Sequence, residues 1–329
     1  MRLRGGLPVL WRGLTELQVG TDPRWSTALT DLSPAAARAL AGLPSGSDVR
    51  LLRSRLDAAG TPTDEVEAVI GHLRRAALLV DPATPRPTTP DALAWSLVDG
   101  PGAGPDERTR EAVRVEGLGR VGLRIAAALA TGGVGNLDLV DPAPVAPGDV
   151  EVGGYGAQDV GSSRVGAAAR VLHDAVPGVR LTRTSRPPAL VVLVEHHVAD
   201  PVRHRDLLAD GVPHLSVVIR EASVLVGPLV RPGDGPCLRC LELHRADRDE
   251  RWPALAAQLV ASRSSLLGGE EVTLAAVGAG LAAAQCLAHL DRRGTAATGT
   301  ALEVRLPDVV PRSLTWGTHP GCGCTTLPP

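Results

Sequence analysis

Residues 115–141 read VEGLGRVGLRIAAALATGGVGNLDLVD. Gly117, Gly119 and Gly122 stand in G-x-G-x-x-G spacing, directly after the strand-like AVRVEG and at the head of an apolar helical run over 120–131. In that context the glycines permit a tight turn and let a phosphate approach the backbone N–H groups, and the helix N-terminus adds partial positive charge. Asp141 closes the next strand, where a carboxylate can accept hydrogen bonds from a ribose. A second reading remains open: the same glycines also let a helix and a strand pack closely.

Outward from this stretch, strand and helix signals alternate. NLDLVD is followed by a helix starting near Ser162, then PALVVLV, a helix near 201–209, PHLSVVIR and SVLVGPLV. Alternation of this kind predicts an α/β, Rossmann-like domain with a mixed, largely parallel sheet, here over 91–329. Residues 82–90, PATPRPTTP, carry four prolines and read as a linker. Residues 1–81 read as a separate α+β module: three short strands around PVLWRG, LTELQVGT and WSTALTDL, then three helices. Ser33 is the expected N-cap of the first helix, with Pro34 at its first position, and Thr63 the expected cap of the third. Strands followed by helices at this length suggest a winged-helix-like fold.

Composition removes several mechanisms. All 34 basic residues are arginine, so a Schiff-base or phosphate-loop lysine cannot exist. The formal net charge of -2 gives no general attraction to nucleic acid or anionic lipid. The longest apolar segment, 272–290, is rich in alanine and glycine and reads as a buried helix; MRLRGGLPVLWRG is too short and interrupted in its apolar run for a signal peptide. The expectation is a cytoplasmic protein without a membrane or nucleic-acid partner.

Cys237 and Cys240 form C-x-x-C, and Cys322 and Cys324 form C-x-C at the far end of the domain. Two thiolate pairs match a tetrahedral, closed, structural Zn²⁺ site. His319 is a nearby substitute ligand or only a neighbour. Cys286, in AAAQCLAHL, reads as an inert core thiol.

The path from the first helix through Gly132, Gly133 and Gly135 straight into a strand resembles the ThiF/HesA/MoeB family, relatives of the ubiquitin-activating enzymes, over about 110–324. The resemblance implies a homodimer, a four-thiolate zinc site and Mg-ATP-dependent adenylation of a peptide C-terminal carboxylate. It also shows departures. The Asn-Leu-x-Arg-Gln segment that the family carries after its ribose-binding Asp has no counterpart in DPAPVAPGDVEVGGYGAQDVGSSRVGAAAR, and the phosphate-contacting lysine is replaced by Arg164. Arginine keeps the charge but not the compact ammonium geometry. The family's magnesium-holding Asp at the end of a later strand is replaced within VVLVEHHVAD, where Glu195 is the near acidic residue and His196 and His197 are adjacent.

Residues 226–259 resemble, more narrowly, the ThiF-like partners of thiazole/oxazole-modified peptide (TOMM, a class of RiPP) biosynthesis. That resemblance implies a scaffold that presents a precursor leader peptide to a YcaO-type cyclodehydratase. The N-terminal module then reads as a RiPP recognition element, pairing the leader with the strand in WSTALTDL beside the helix TDEVEAVIGHLRRAALL. Trp25, Val66, Ile70 and Leu73 line such a groove or are ordinary core. Two functions stay open from sequence: this scaffold, with an eroded nucleotide site, or an ATP-dependent adenylyltransferase.

Overall fold

A computed structural model describes residues 1–100, 108–183, 186–261 and 269–324. It divides into two compact units, 1–104 and 105–329.

In the first unit, β2 (Val9–Gly13), β3 (Glu16–Val19) and β4 (Thr27–Leu29) form an antiparallel sheet in the order β2-β3-β4. Preceding them, β1 (Arg2–Leu3) pairs with β5 (Leu79–Val80), which follows the helices. Helices α1 (Pro34–Ala41), α2 (Val49–Ala58) and α3 (Thr63–Arg75) pack their apolar stripes over a core of Leu17, Leu40, Leu56 and Leu73. Ser33 caps α1 through its side chain, accepting from Ala36 N at 3.2 Å. Thr63 is the first helical residue of α3 rather than its cap; Pro62 holds the cap position in extended conformation. Val66, Ile70 and Leu73 are core side chains, while Trp25 is half-buried under the Arg24 guanidinium, 4.1 Å from its ring centre.

The proline-rich segment 82–90 falls inside this unit, not beyond it. Arg2, itself buried, donates to the carbonyls of Thr84 at 2.9 Å and Pro85 at 3.3 Å, and helix α4 (Pro90–Val98) follows with Thr89 as its cap.

The second unit is a seven-stranded mixed sheet. Its strands are β6 (Ala112–Glu116), β7 (Asn136–Val140), β8 (Leu190–His196), β9 (His214–Ile219), β10 (Ser223–Val230), β11 (Thr300–Arg305) and β12 (Arg312–Thr315). In space they run β12-β11-β10-β9-β8-β6-β7; β7, β6, β8 and β9 are mutually parallel, and β10 to β12 extend the sheet antiparallel. The chain goes from β6 through α5 (Arg120–Thr131) to β7 on one side, then through α6 (Arg164–Ala175) to β8 on the other. The crevice between β6 and β8 is therefore the switch point at which sheets of this kind bind ligands. Helix α7 (Pro201–Ala209) links β8 to β9, and α8 (Leu238–Arg248), α9 (Trp252–Ala261) and α10 (Val272–Leu290) separate β10 from β11. By length and composition α10 can cross a membrane; here it packs beside α5 as a core helix, burying Leu274, Ala275, Ala282 and Cys286. Alanine and glycine bring it close: a Cβ on Gly278 would meet Val224 Cγ1 at 2.9 Å.

Candidate nucleotide and metal sites

The three glycines open the switch-point crevice, and close packing alone explains two of them. Gly117 adopts φ +92° at the end of β6, where a side chain would overlap the Val194 carbonyl oxygen. Gly122, one turn into α5, lies so near the Gly117 carbonyl oxygen that a Cβ has no room. Gly119 is the N-cap of α5 and carries no side chain to cap it.

The anion at this helix start belongs to the chain itself. Glu270, just ahead of α10, turns its carboxylate onto α5: Oε2 accepts from Val121 N at 2.8 Å, and Oε1 lies 3.0 Å from His196 Nε2. Its Oε1 occupies the space a Cβ on Gly119 would need. Burial raises the cost of this charge, but the His196 and Val121 donors outweigh it and hold the carboxyl below its ordinary range. The contact was not read from the sequence. Glu270 and Glu271 precede an apolar helix as a capping pair, and Glu271 does cap α10, accepting from Thr273 N at 2.9 Å and Leu274 N at 3.1 Å. That its neighbour serves the adjacent helix follows only from the packing of α5 beside α10.

Asp141 is also engaged from within. Its Oδ2 accepts from Leu118 N at 2.6 Å and its Oδ1 from Ala143 N at 2.8 Å. Arg164, first residue of α6, reaches back to Asp141 Oδ2 at 3.1 Å and pairs with Asp149 Oδ2 at 2.7 Å. Tyr155, fully buried, donates to the Leu118 carbonyl at 2.8 Å, and burial pushes its phenol well above the usual range. Gly117, Gly119, Gly122, Asp141 and Arg164 are thus brought to one place, and side chains fill it. Glu195 is turned to another network: it is buried, lies 3.0 Å from His204 Nε2 and 3.3 Å from Arg203 Nη1, and accepts from Asp200 N.

At the other end of the unit the four cysteines converge. Cys237 Sγ stands 4.0 Å from Cys240 Sγ and 3.7 Å from Cys322 Sγ, and Cys240 Sγ is 3.5 Å from Cys324 Sγ. Ligands about 2.3 Å from a tetrahedral Zn²⁺ lie about 3.8 Å apart, so the set fits that ion. None of the four is in a disulfide, and three are buried. His319 faces elsewhere: its Nδ1 accepts from Gly321 N at 2.9 Å and its Nε2 lies 2.8 Å from Asp247 Oδ2. A Zn²⁺ here would have four thiolates and no open position, which suits a structural ion. Cys286 is fully buried in α10, and burial raises its thiol far above the ordinary range.

The model of the ThiF family matches residues 105–324. Among solved structures, the Escherichia coli microcin C7 biosynthetic enzyme MccB in complex with N-formylated MccA is 15% identical with a TM-score of 0.72, covering 99% of this chain and 100% of that one. MccB from E. coli with ATP is 16% identical with a TM-score of 0.71, covering 98% and 99%. PaaA is 17% identical with a TM-score of 0.68, covering 95% and 99%. No curated protein sequence matches. At these identities the likeness is one of fold. With the family model spanning two thirds of its length, the chain belongs to the ThiF family.

Proposed function

We propose that this protein is a zinc-stabilised scaffold that binds a precursor leader peptide, acts as a homodimer and presents the peptide to a YcaO-type cyclodehydratase, without adenylating anything itself. The observation that carries this reading is Glu270, an internal carboxylate on the α5 N-terminus where a nucleotide phosphate would sit. Arg164 turned onto Asp141 and Asp149 supports it, because the cation expected to meet phosphate is already neutralised. In the first unit β4 is an edge strand open to strand addition, and α3 stands beside it, with His72 Nε2 2.7 Å from Thr27 Oγ1.

A second reading is adenylation, favoured by one observation: MccB, which shares the fold over the whole chain, has been crystallised with ATP. It requires Glu270 and Arg164 to leave their partners. The two readings separate by pyrophosphate exchange with ATP and the precursor peptide. We expect no exchange from this protein alone, and ATP-dependent loss of water from the peptide when both it and the YcaO-type protein are present. Exchange without the YcaO-type protein would overturn the scaffold reading.

A further inference from the structure

The face of α8 that carries a zinc-binding thiol continues past it. Cys240, His244 and Asp247 follow one another at spacings of four and three residues, which places them on one face of the helix. That face meets the returning segment that holds Cys322 and Cys324, and three residues before Cys322 this segment carries His319. The same two stretches of chain are thus joined twice, once through four thiols and again through two imidazoles and a carboxylate.

A ring nitrogen of His244, a ring nitrogen of His319 and a carboxylate oxygen of Asp247 all lie within 4.8 Å of one another. Nitrogen and oxygen donors about 2.0–2.1 Å from a tetrahedral ion stand about 3.3 Å apart, so small rotations close the set. His319 Nε2 and Asp247 Oδ2, at 2.8 Å, need only open slightly, and the Asp247 side chain is 65% exposed and free to turn. His244 is already prepared. Its Nε2 lies 3.0 Å from the Gly317 carbonyl oxygen and donates to it, which leaves a lone pair on Nδ1. A backbone carbonyl behind the far nitrogen is the usual support of a metal-bound imidazole. His319 rests in the other tautomer: Gly321 N donates to its Nδ1 at 2.9 Å, so the ring proton is on Nε2, toward Asp247. An ion bound there takes that proton's place, the ring keeps its proton on Nδ1, and the Gly321 amide gives up one ordinary hydrogen bond.

We propose that His244, Asp247 and His319 form a second metal site, separate from the four cysteines, that takes an exchangeable divalent transition ion of the Zn²⁺ class. Two nitrogens and one carboxylate oxygen select such an ion over Mg²⁺ and Ca²⁺, which prefer shells of oxygen. Three ligands leave one position open to water or to a donor from outside the chain, in contrast to the closed thiolate set. With Asp247 at the surface the ion exchanges with solvent, so it leaves on desalting while the ion of the cysteines stays. The site stands whether or not the chain presents a leader peptide.

The test titrates desalted, zinc-loaded full-length protein with ZnCl₂, and separately with MgCl₂. Binding is followed by zinc counting after equilibrium dialysis and by ¹H–¹⁵N spectra of the histidine rings and the backbone amides. We expect one further zinc per chain at micromolar concentration, with the His244 and His319 ring signals and the Gly321 amide moving together, and no movement with Mg²⁺. His244→Gln should weaken this second zinc by more than the roughly tenfold that loss of an outer-shell partner costs, and leave the first in place. Asp247→Asn, which keeps a hydrogen bond to His319 but loses the charge, should also weaken it; this variant decides the matter if His244→Gln fails to fold. No second zinc below millimolar concentration, the same response to Mg²⁺, or a second zinc held equally well by the variants would overturn the site and leave His319 and Asp247 as an ion pair only.

Discussion

The second unit holds two preorganised clusters, and they differ in what fills them. At the cysteine cluster four thiols face one another across 3.5 to 4.0 Å, and among the described residues no other side chain supplies their partner. At the glycine cradle three inward-facing groups are engaged from within the chain: Val121 N has Glu270, Leu118 N has Asp141, and Asp141 has Arg164. The first arrangement could hold a metal ion. The second is satisfied by the protein's own charges, and a buried, hydrogen-bonded anion is costly to displace. A fold can therefore keep the shape of a ligand site after its ligand has been replaced from within.

The comparison breaks most readily at the cysteines. Stripping zinc with a strong chelator, or the substitution Cys240→Ser, should abolish cooperative unfolding of the second unit, a loss on the order of several kcal/mol. Elemental analysis should show one zinc per chain falling to none. An unchanged melting curve in metal-free protein would mean that the thiols complete one another without an ion and that the contrast with the cradle is false.

A smaller effect sharpens the picture at the same end. His214, beside the cysteines, is buried with its Nδ1 3.0 Å from the Val212 carbonyl oxygen. Burial, followed by repulsion from His204, lowers its imidazole from 6.5 to about 4. In the unfolded chain the ring takes a proton near pH 6.5; in the fold it stays neutral. Its contribution is complete above that value and is lost as pH falls toward 4, about 3 kcal/mol in all. Denaturant titrations between pH 7 and 4 should show this slope, flattened in His214→Asn. An equal slope in both proteins would assign the pH dependence to other groups.

Much of this was legible in the sequence because it depends on local pattern. The alternation from AVRVEG onward gave the parallel strands, Ser33 before Pro34 gave a helix start, and paired cysteines at both ends of the domain gave the thiol cluster. What escaped depends on neighbours distant in the chain. Glu270 lies 149 positions from the amide it caps, and two glutamates before an apolar run reveal only that one caps its own helix. Likewise, four prolines in 82–90 suggested a free linker, but the donor that ties this segment down is Arg2, 82 positions away. At Pro62-Thr63 the proline backbone, rather than the threonine hydroxyl expected as the cap, starts the helix.

The central claim is that the cradle is occupied by Glu270, and calorimetric titration of the zinc-loaded protein with Mg-ATP tests it most directly, beside Asp141→Ala and Glu270→Ala. We predict no binding up to millimolar ATP in the parent and in Asp141→Ala, with any gain confined to Glu270→Ala. Micromolar binding by the parent that is lost in Asp141→Ala would contradict the account and make the adenylating reading the one to pursue.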